Sequence, residues 1–182
     1  MQRPRAHTAL LVIDVQRGLF DQAPRPADAD AIVARINGLT ARARAAGAPV
    51  IFIQHERAGG PVAHGSPGWA LEDRLIVGDG DQFVRKTTPD SFLRTGLGAL
   101  LAPRGIDHLV LCGYATEFCV DTTARSAAAQ GFHVTIAADA HTTHDKPHAS
   151  GAEIRAHHNA TLSQIGSFDV AITATPAADV RF

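Results

Sequence analysis

Three residues with reactive side chains follow apolar segments of this 182-residue chain: Asp14, Lys86 and Cys119. Asp14 follows LLVI, Lys86 ends FVRK, and Cys119 comes after HLVLC and a short turn. A thiol can attack an acyl carbon when a base takes its proton and later returns it to the leaving group. Asp14 can be this base, and Lys86 can lower the thiol pKa and hold the carboxylate in place. The three residue types together predict nucleophilic catalysis through Cys119.

The segment around Cys119 indicates the start of a helix. Thr116 is a suitable N-cap, and Cys119 would then occupy the third helical position. A thiol there faces unpaired backbone amides and the positive end of the helix dipole, so the thiolate is favoured. The same amides could bind an oxyanion. The other cysteine, Cys112, lies inside the apolar run LVLC and is predicted to be a small core residue.

Asp14 and Lys86 each have a simpler interpretation when taken alone. Asp14 could cap the turn after its strand, and Lys86 could be an ordinary exposed lysine. Ligands of open parallel sheets bind beyond the carboxyl ends of the strands. Because both residues lie at such ends, together with Cys119, the catalytic interpretation is favoured.

Apolar β-branched runs alternate with helical patterns along the chain, which is typical of βαβ units and a parallel sheet. The runs ALLVID, VIFI and LVLC are nearly continuous, as strands covered on both faces require. The predicted strands are Ala9–Asp14, Val50–Gln54, Gln82–Arg85, His108–Cys112, His133–Ala137 and Asp169–Thr173. Periodicity and terminal glycines predict helices over Ile32–Ala46, Leu93–Leu101, Thr116–Gln130 and Ile154–Ile165. We therefore predict one α/β domain over residues 1–182, a three-layer α/β/α arrangement with a mostly parallel six-stranded sheet.

Composition limits the classes of function. The hydrophobic fraction of 45% and charged fraction of 19% are ordinary for a globular domain. The net charge is -1 and no basic run exceeds two residues, which argues against nucleic-acid and membrane partners. No segment approaches the ~20 apolar residues of a membrane span, and no signal-peptide pattern opens the chain. We predict a cytoplasmic protein that acts on a small molecule.

The stretch between Gln54 and Gln82 contains too many glycines and prolines for a regular helix. A connection this long in a compact domain is usually functional or disordered. It contains Trp69, the only tryptophan, which favours an ordered loop at a binding site. The alternative is packing on the outer edge of the sheet.

The ten histidines raise the question of a metal site. Five of them gather late in the chain: His141, His144, His148, His157 and His158. Neutral imidazoles can bind zinc, but Pro147 interrupts any helical face and no cysteine pair joins them. We predict no metal and no cofactor, with the cluster from His141 to His148 at the pocket mouth or a subunit contact. His158 falls on an apolar stripe and is predicted to be a hydrogen-bonded core residue.

Three segments resemble, in order, motifs of isochorismatase-like cysteine hydrolases. LLVIDVQRGLF resembles their opening strand and Asp-x-Gln motif, and FVRKTTPDSF resembles their lysine segment. GYATEFCVDTTARSAAAQG resembles their nucleophile segment, Gly-x-x-Thr-x-x-Cys-Val. The resemblance implies a Rossmann-like sheet and a catalytic triad of Asp14, Lys86 and Cys119. It also implies a cis peptide bond between Tyr114 and Ala115, which aims the Ala115 and Cys119 amides at an oxyanion.

Two departures from the family pattern narrow the expected reaction. Members that act as nicotinamidases carry an Asp-x-His metal motif after the second strand, where this chain has His55 and Arg57. A zinc or iron ion there is not expected. Members that cleave the vinyl ether of isochorismate often lack the cysteine, so Cys119 favours attack on an acyl carbon.

The sequence thus predicts hydrolysis of a C–N bond in a small amide, ureide or lactam through a thioester. One alternative is a vinyl-ether hydrolase that uses Asp14 as acid, and another is a non-catalytic binding module on the same fold. The residues expected to contact substrate are Gln16, Phe20, His55, Trp69 and Tyr114.

The resemblance also implies a homo-oligomer, a dimer or tetramer. The stretch from Gly59 to Trp69, with Val62 and the following Leu71, offers a separate reason, because little predicted secondary structure lies nearby to bury these apolar side chains. Exposed apolar clusters tend to mark contact surfaces.

Overall fold

Six strands form the central sheet of the computed structural model, which describes residues 7–182. The strands are β1 (Thr8–Ile13), β2 (Val50–His55), β3 (Gln82–Lys86), β4 (His108–Tyr114), β5 (His133–Thr142) and β6 (Ile172–Thr175). Their order across the sheet is β3-β2-β1-β4-β5-β6, and every neighbouring pair is parallel. The predicted six-stranded sheet is confirmed and is parallel throughout.

Helices cover both faces of this sheet. They are α1 (Arg17–Phe20), α2 (Ala29–Ala45), α3 (Leu97–Leu101), α4 (Asp121–Ala129) and α5 (Gly151–Leu162). A π-helical turn over Thr116–Val120 runs directly into α4, and 3₁₀ turns span Ala102–Arg104 and Ala177–Asp179. Within the described part of the chain, none of the helices has the length and apolar content needed to cross a bilayer.

Side chains of β1 alternate between two hydrophobic cores. Ala9, Leu11 and Ile13 pack on the side of α3 and α4, whereas Leu10 and Val12 pack against α2. This alternation is the period of two that a strand imposes on its side chains. Because both faces are buried, the strand must be apolar at every position, which explains the continuous run in the sequence.

The order of the strands reverses at β1, which pairs with β2 on one side and with β4 on the other. Such a switch point opens a crevice beyond the carboxyl ends of the strands. At this edge β4 approaches β1 closely through Gly113, which has φ +116. A Cβ at Gly113 would lie 2.1 Å from the carbonyl oxygen of Ile13, so only glycine fits. Asp14 and Cys119 follow these two strands.

Two predicted elements begin later in the structure than the sequence pattern indicated. The helix predicted from Leu93 begins at Leu97, because the Thr95 hydroxyl donates to the Ser91 carbonyl and accepts from the Leu97 amide, which forms a turn instead. The last strand begins at Ile172 and not at Asp169, whose φ of +59 is incompatible with a strand.

Three other predicted helices also have different starts, and α2 begins at Ala29 instead of the predicted Ile32. Helix α5 begins at Gly151, three residues before the predicted Ile154, because Ser150 and Glu153 form a capping box. The predicted N-cap of the helix after β4 was Thr116, but the N-cap position belongs to Ala115. Cys119 is therefore one position further into the helix than expected.

The long connection between β2 and β3 contains no helix but is held against the segment that follows β1. The Gly18 amide donates to the Gly68 carbonyl at 2.8 Å, and the Glu72 amide donates to the Val15 carbonyl at 3.0 Å. These bonds bring the connection to the carboxyl edge of the sheet.

The expectation that Val62, Trp69 and Leu71 form an exposed apolar cluster is wrong. Val62 is only 4% exposed, and Trp69 and Leu71 are half-buried within the same chain. Two exposed apolar side chains, Ile76 and Val77, follow later in the same connection, and the other large ones lie outside it: Phe83, Leu93 and Phe118. The expectation of a homo-oligomer therefore rests on the family resemblance alone.

Candidate active site

Lys86 joins Asp14 and Cys119 into one hydrogen-bonded group. Its Nζ donates to Asp14 Oδ2 at 2.6 Å and to Cys119 Sγ at 3.2 Å. Lys86 ends β3, Asp14 follows β1, and Cys119 lies in the π-helical turn after β4. The parallel sheet thus brings together at one edge three side chains that are far apart in sequence. Lys86 is 2% exposed, so the interpretation of an ordinary surface lysine is wrong.

The Lys86 ammonium has two further neighbours. It lies 3.1 Å from the carbonyl oxygen of Thr88 and 3.3 Å from Nδ1 of His55. Thr88 follows β3 closely, and His55 is opposite Lys86 in the register of β2 and β3. Four potential acceptors therefore surround one buried ammonium group.

Asp14 has one carboxylate oxygen bound and one free. Oδ2 accepts from Lys86, whereas Oδ1 is buried and has no hydrogen-bond partner among residues 7–182. Its backbone has φ +51, which aspartate tolerates better than most residues. Buried polar atoms are normally paired, so Oδ1 is an acceptor available to a proton from a neighbouring group.

The surroundings of Cys119 oppose the thiolate that the helix start was expected to favour. Burial and, next, the charge of Asp14 raise the pKa of the thiol to about 12, although Lys86 opposes them. This environment favours the thiol over the thiolate, so nucleophilic catalysis through Cys119 would require a base to take its proton. Burial also raises the pKa of Cys112, which no charged group opposes. Cys112 donates to the Leu11 carbonyl at 3.5 Å and is a core residue.

The backbone between β4 and Cys119 has the geometry that the resemblance implied, since the peptide bond between Tyr114 and Ala115 is cis. The turn that follows is π-helical, a conformation that is frequent at functional sites. The Ala115 carbonyl accepts from the amides of both Phe118 and Val120 at 3.1 Å. These bonds fix the turn that carries Cys119.

Residues 141–146, which include His141 and His144 of the predicted histidine cluster, form hydrogen bonds with the turn that carries Cys119 and with Tyr114 before it. Thr116 Oγ1 lies 2.9 Å from His141 Nδ1, and the Tyr114 hydroxyl lies 2.8 Å from His144 Nδ1. The next two bonds continue the series: Thr143 Oγ1 donates to Glu117 at 2.9 Å, and Lys146 pairs with Glu117 at 3.4 Å. Two of the clustered histidines therefore support residues beside Cys119.

The other three of these five histidines border one cavity. His148, His157 and His158 line a cavity of about 470 Å³ together with Glu117 and Glu153. His158 Nδ1 donates to the Ile154 carbonyl at 2.8 Å, so the predicted hydrogen bond is present. The side chain is half-buried, however, and is not the core residue that the sequence predicted. Within residues 7–182, no three side chains of His, Cys, Asp or Glu come together in a group able to hold a metal ion.

His141 is a neutral imidazole whose tautomer follows from its partners. Asn159 donates through Nδ2 to the Ala138 carbonyl, so its Oδ1 accepts from His141 Nε2 at 2.9 Å. Nδ1 is then unprotonated and accepts from the Thr116 hydroxyl. Burial lowers the pKa of His141 to about 4. No pattern in the sequence indicated Asn159 or this support for Thr116.

Acidification should destabilise the protein through His141. The unfolded imidazole binds a proton near pH 6.5, whereas the folded one does so only near pH 4. The unfolded state therefore gains protons first as the pH falls, and roughly 3 kcal/mol of stability is lost between these values. Urea unfolding between pH 4 and pH 7.5 measures this loss. His141→Gln should have a shallower pH dependence than the wild type, and equal slopes would contradict the assignment.

Two of the predicted substrate contacts are interior residues in the structure. Gln16 is fully buried, and its amide donates to the carbonyls of His55 and Trp69 while Oε1 accepts from the His55 amide. Phe20 is also fully buried and packs edge-on against Tyr114. Gln16 and Phe20 therefore brace the site and present no exposed surface to a substrate in this structure.

The other three predicted contacts lie at the site with part of their surface free. His55 is beside Lys86, and Tyr114 precedes the cis peptide bond. Trp69 is half-buried, and its Nε1 has no hydrogen-bond partner among the described residues. His55, Trp69 and Tyr114 therefore stay predicted substrate contacts.

Comparison with known proteins identifies the family. A family model for the isochorismatase domain matches residues 8–166. A streptothricin hydrolase from Streptomyces noursei is 44% identical over 142 residues, which cover 78% of this chain and 51% of the relative. A ureidoacrylate amidohydrolase from Pseudomonas syringae pv. syringae (strain B728a) is 33% identical over 167 residues, covering 70% of this chain and 65% of the relative.

A solved structure extends the similarity to three dimensions. An isochorismatase from Pseudomonas putida KT2440 superposes with a TM-score of 0.87 at 26% identity, over 98% of this chain and 92% of that chain. The chain spans about half the length of the streptothricin hydrolases that it matches. Since the family model covers most of the sequence and the fold agrees over nearly all of it, this chain belongs to the isochorismatase family.

Proposed function

We propose that this protein is a cysteine-dependent hydrolase that cleaves a C–N bond of a small amide, ureide or lactam through a thioester intermediate. One observation carries the proposal: a single buried ammonium, Lys86, contacts both the Asp14 carboxylate and the Cys119 sulfur. A nucleophile, a base and a group that orients both are the parts that covalent catalysis requires.

The names of the relatives support the type of bond. One relative is a streptothricin hydrolase and another is a ureidoacrylate amidohydrolase, whose name specifies an amide bond. These names apply to those proteins, and the substrate of this chain is a proposal of the same chemical class.

In the first step, Cys119 Sγ bonds to the carbonyl carbon while its proton passes to Asp14 Oδ1. The negative charge moves to the carbonyl oxygen, which the amides of Ala115 and Cys119 stabilise. The tetrahedral intermediate then collapses, the C–N bond breaks, and Asp14 returns the proton to the departing nitrogen. The products are an amine or ammonia and a thioester on Cys119.

In the second step, water attacks the thioester carbon and gives a proton to Asp14. The C–S bond breaks, the acid leaves, and the sulfur regains the proton from Asp14. Lys86 stays protonated throughout and balances the charge that moves between Asp14 and Cys119. A buried ammonium suits this role because low polarity strengthens its interaction with the developing thiolate.

Two other functions make different predictions for Cys119. A vinyl-ether hydrolase would use Asp14 as acid and would keep its activity without the thiol. A non-catalytic binding module would turn over no substrate, although its Cys119 would still react with alkylating reagents.

The experiment is a screen of small amides, ureides and lactams for products, with mass spectrometry of the quenched protein. We expect turnover of at least one compound and a Cys119 adduct whose mass equals the acyl group. Turnover of a vinyl ether by both the wild type and Cys119→Ala, with no adduct, would instead support the first alternative.

A further inference from the structure

The Lys86 ammonium has more acceptors than protons. It carries three N–H donors, and four acceptors lie within hydrogen-bond distance: Asp14 Oδ2, the Thr88 carbonyl, His55 Nδ1 and Cys119 Sγ. The carboxylate and the carbonyl are strong acceptors and occupy two protons. The imidazole and the sulfur must therefore share the third.

The charge state of Cys119 decides which of the two receives this proton. A thiol sulfur is a weak acceptor, so in the resting protein the third proton favours His55 Nδ1. Once Cys119 is a thiolate, a charged acceptor lies 3.2 Å from the ammonium and forms the stronger hydrogen bond. The proton then turns from His55 to Cys119, and His55 loses its partner.

The contact with Lys86 assigns the acceptor role to His55 Nδ1, because an ammonium can only donate and the 3.3 Å contact is favourable only when Nδ1 carries no proton. Burial, followed by the positive charge of Lys86, lowers the pKa of His55 and keeps the ring neutral. The Asp14 carboxylate and a hydrogen bond to the Thr88 backbone oppose this effect, and Arg57 adds to it weakly. The backbone of His55 is fixed separately, because its amide and carbonyl bond the side chain of Gln16. The ring can be changed without loss of these backbone bonds.

We propose that His55 is a positioning residue that competes with Cys119 for the third proton of Lys86 and thereby restrains thiolate formation. The inference rests on the proposed role of Cys119 as nucleophile. His55 acts through Lys86 and does not itself take part in bond formation. In the resting state His55 accepts the third N–H of Lys86, so this N–H does not stabilise a thiolate at Cys119. Cys119 therefore stays a thiol until Asp14 takes the thiol proton.

Two substitutions separate the acceptor from the volume of the ring. His55→Phe fills the same space but has no acceptor, so thiolate formation should become about tenfold more favourable. Part of this gain is offset, because a less basic thiolate is also less nucleophilic. Iodoacetamide should therefore alkylate Cys119 only about threefold faster than in the wild type. His55→Asn is smaller but offers an amide oxygen near Nδ1, and its alkylation rate should return to that of the wild type.

The rates are measured between pH 7 and pH 9 by mass spectrometry, with Cys112 as an internal control and thermal unfolding as a check on the fold. A wild-type rate in His55→Phe would overturn the proposal. A faster rate in His55→Asn than in His55→Phe would also overturn it, since solvent access would then control the thiol. If the His55 variants show the expected alkylation rates but the protein hydrolyses no amide, this inference stands and the proposed function is wrong.

Discussion

Replacing Cys119 by alanine should lower kcat/KM for the cognate amide by a factor on the order of 10³ or more. The variant keeps the Asp14–Lys86 ion pair and the backbone amides, but it has no atom that can form the thioester. Cys119 carries the only thiol of the hydrogen-bonded group around Lys86, so its loss leaves no nucleophile of comparable reactivity in that group. Steady-state kinetics on the best substrate from the screen measures the loss.

Cys112 provides the matched control. It is fully buried in the core, and a serine hydroxyl at this position can donate to the same Leu11 carbonyl. Cys112→Ser should therefore retain turnover in folded protein. If this variant lost turnover while Cys119→Ala retained it, Cys119 would not be the nucleophile.

Replacing Lys86 by methionine should lower the free energy of unfolding by about 3–5 kcal/mol. Methionine fills much of the volume of the lysine but leaves the Asp14 carboxylate buried with no cation beside it. Both side chains are almost fully inaccessible to water, so solvent cannot replace the lost partner. Urea unfolding at neutral pH measures the loss, and catalytic activity should be lost as well.

Two further variants test whether the unpaired charge of Asp14 causes this loss of stability. Arg85 precedes Lys86 and pairs with Glu56, but it is half exposed, so Arg85→Met should cost no more than about 1 kcal/mol. The double variant Asp14→Asn with Lys86→Met removes both charges and should recover most of the stability. A double variant as unstable as Lys86→Met alone would mean that packing, and not the unpaired carboxylate, destabilises the single variant.

The apolar pattern of the sequence was sufficient to predict the sheet. A strand covered on both faces requires apolar residues at successive positions, and β1 and β4 show this in ALLVI and LVLC. The apolar pattern did not predict the local hydrogen bonds that set where some helices begin. The Thr95 turn shortened the predicted helix at Leu93, and the capping box of Ser150 and Glu153 moved the start of α5.

The sequence by itself also determined which residues could form a catalytic group, because the types of Asp14, Lys86 and Cys119 and their places after predicted strands are properties of the chain. Their distances and protonation were decided only by the tertiary structure. Burial, which depends on the whole fold, raises the pKa of Cys119 to about 12 and so opposes the thiolate that the local helix start had favoured. The contacts of His141 with Thr116 and Asn159 likewise join residues from three different elements, and no local pattern specifies such pairings.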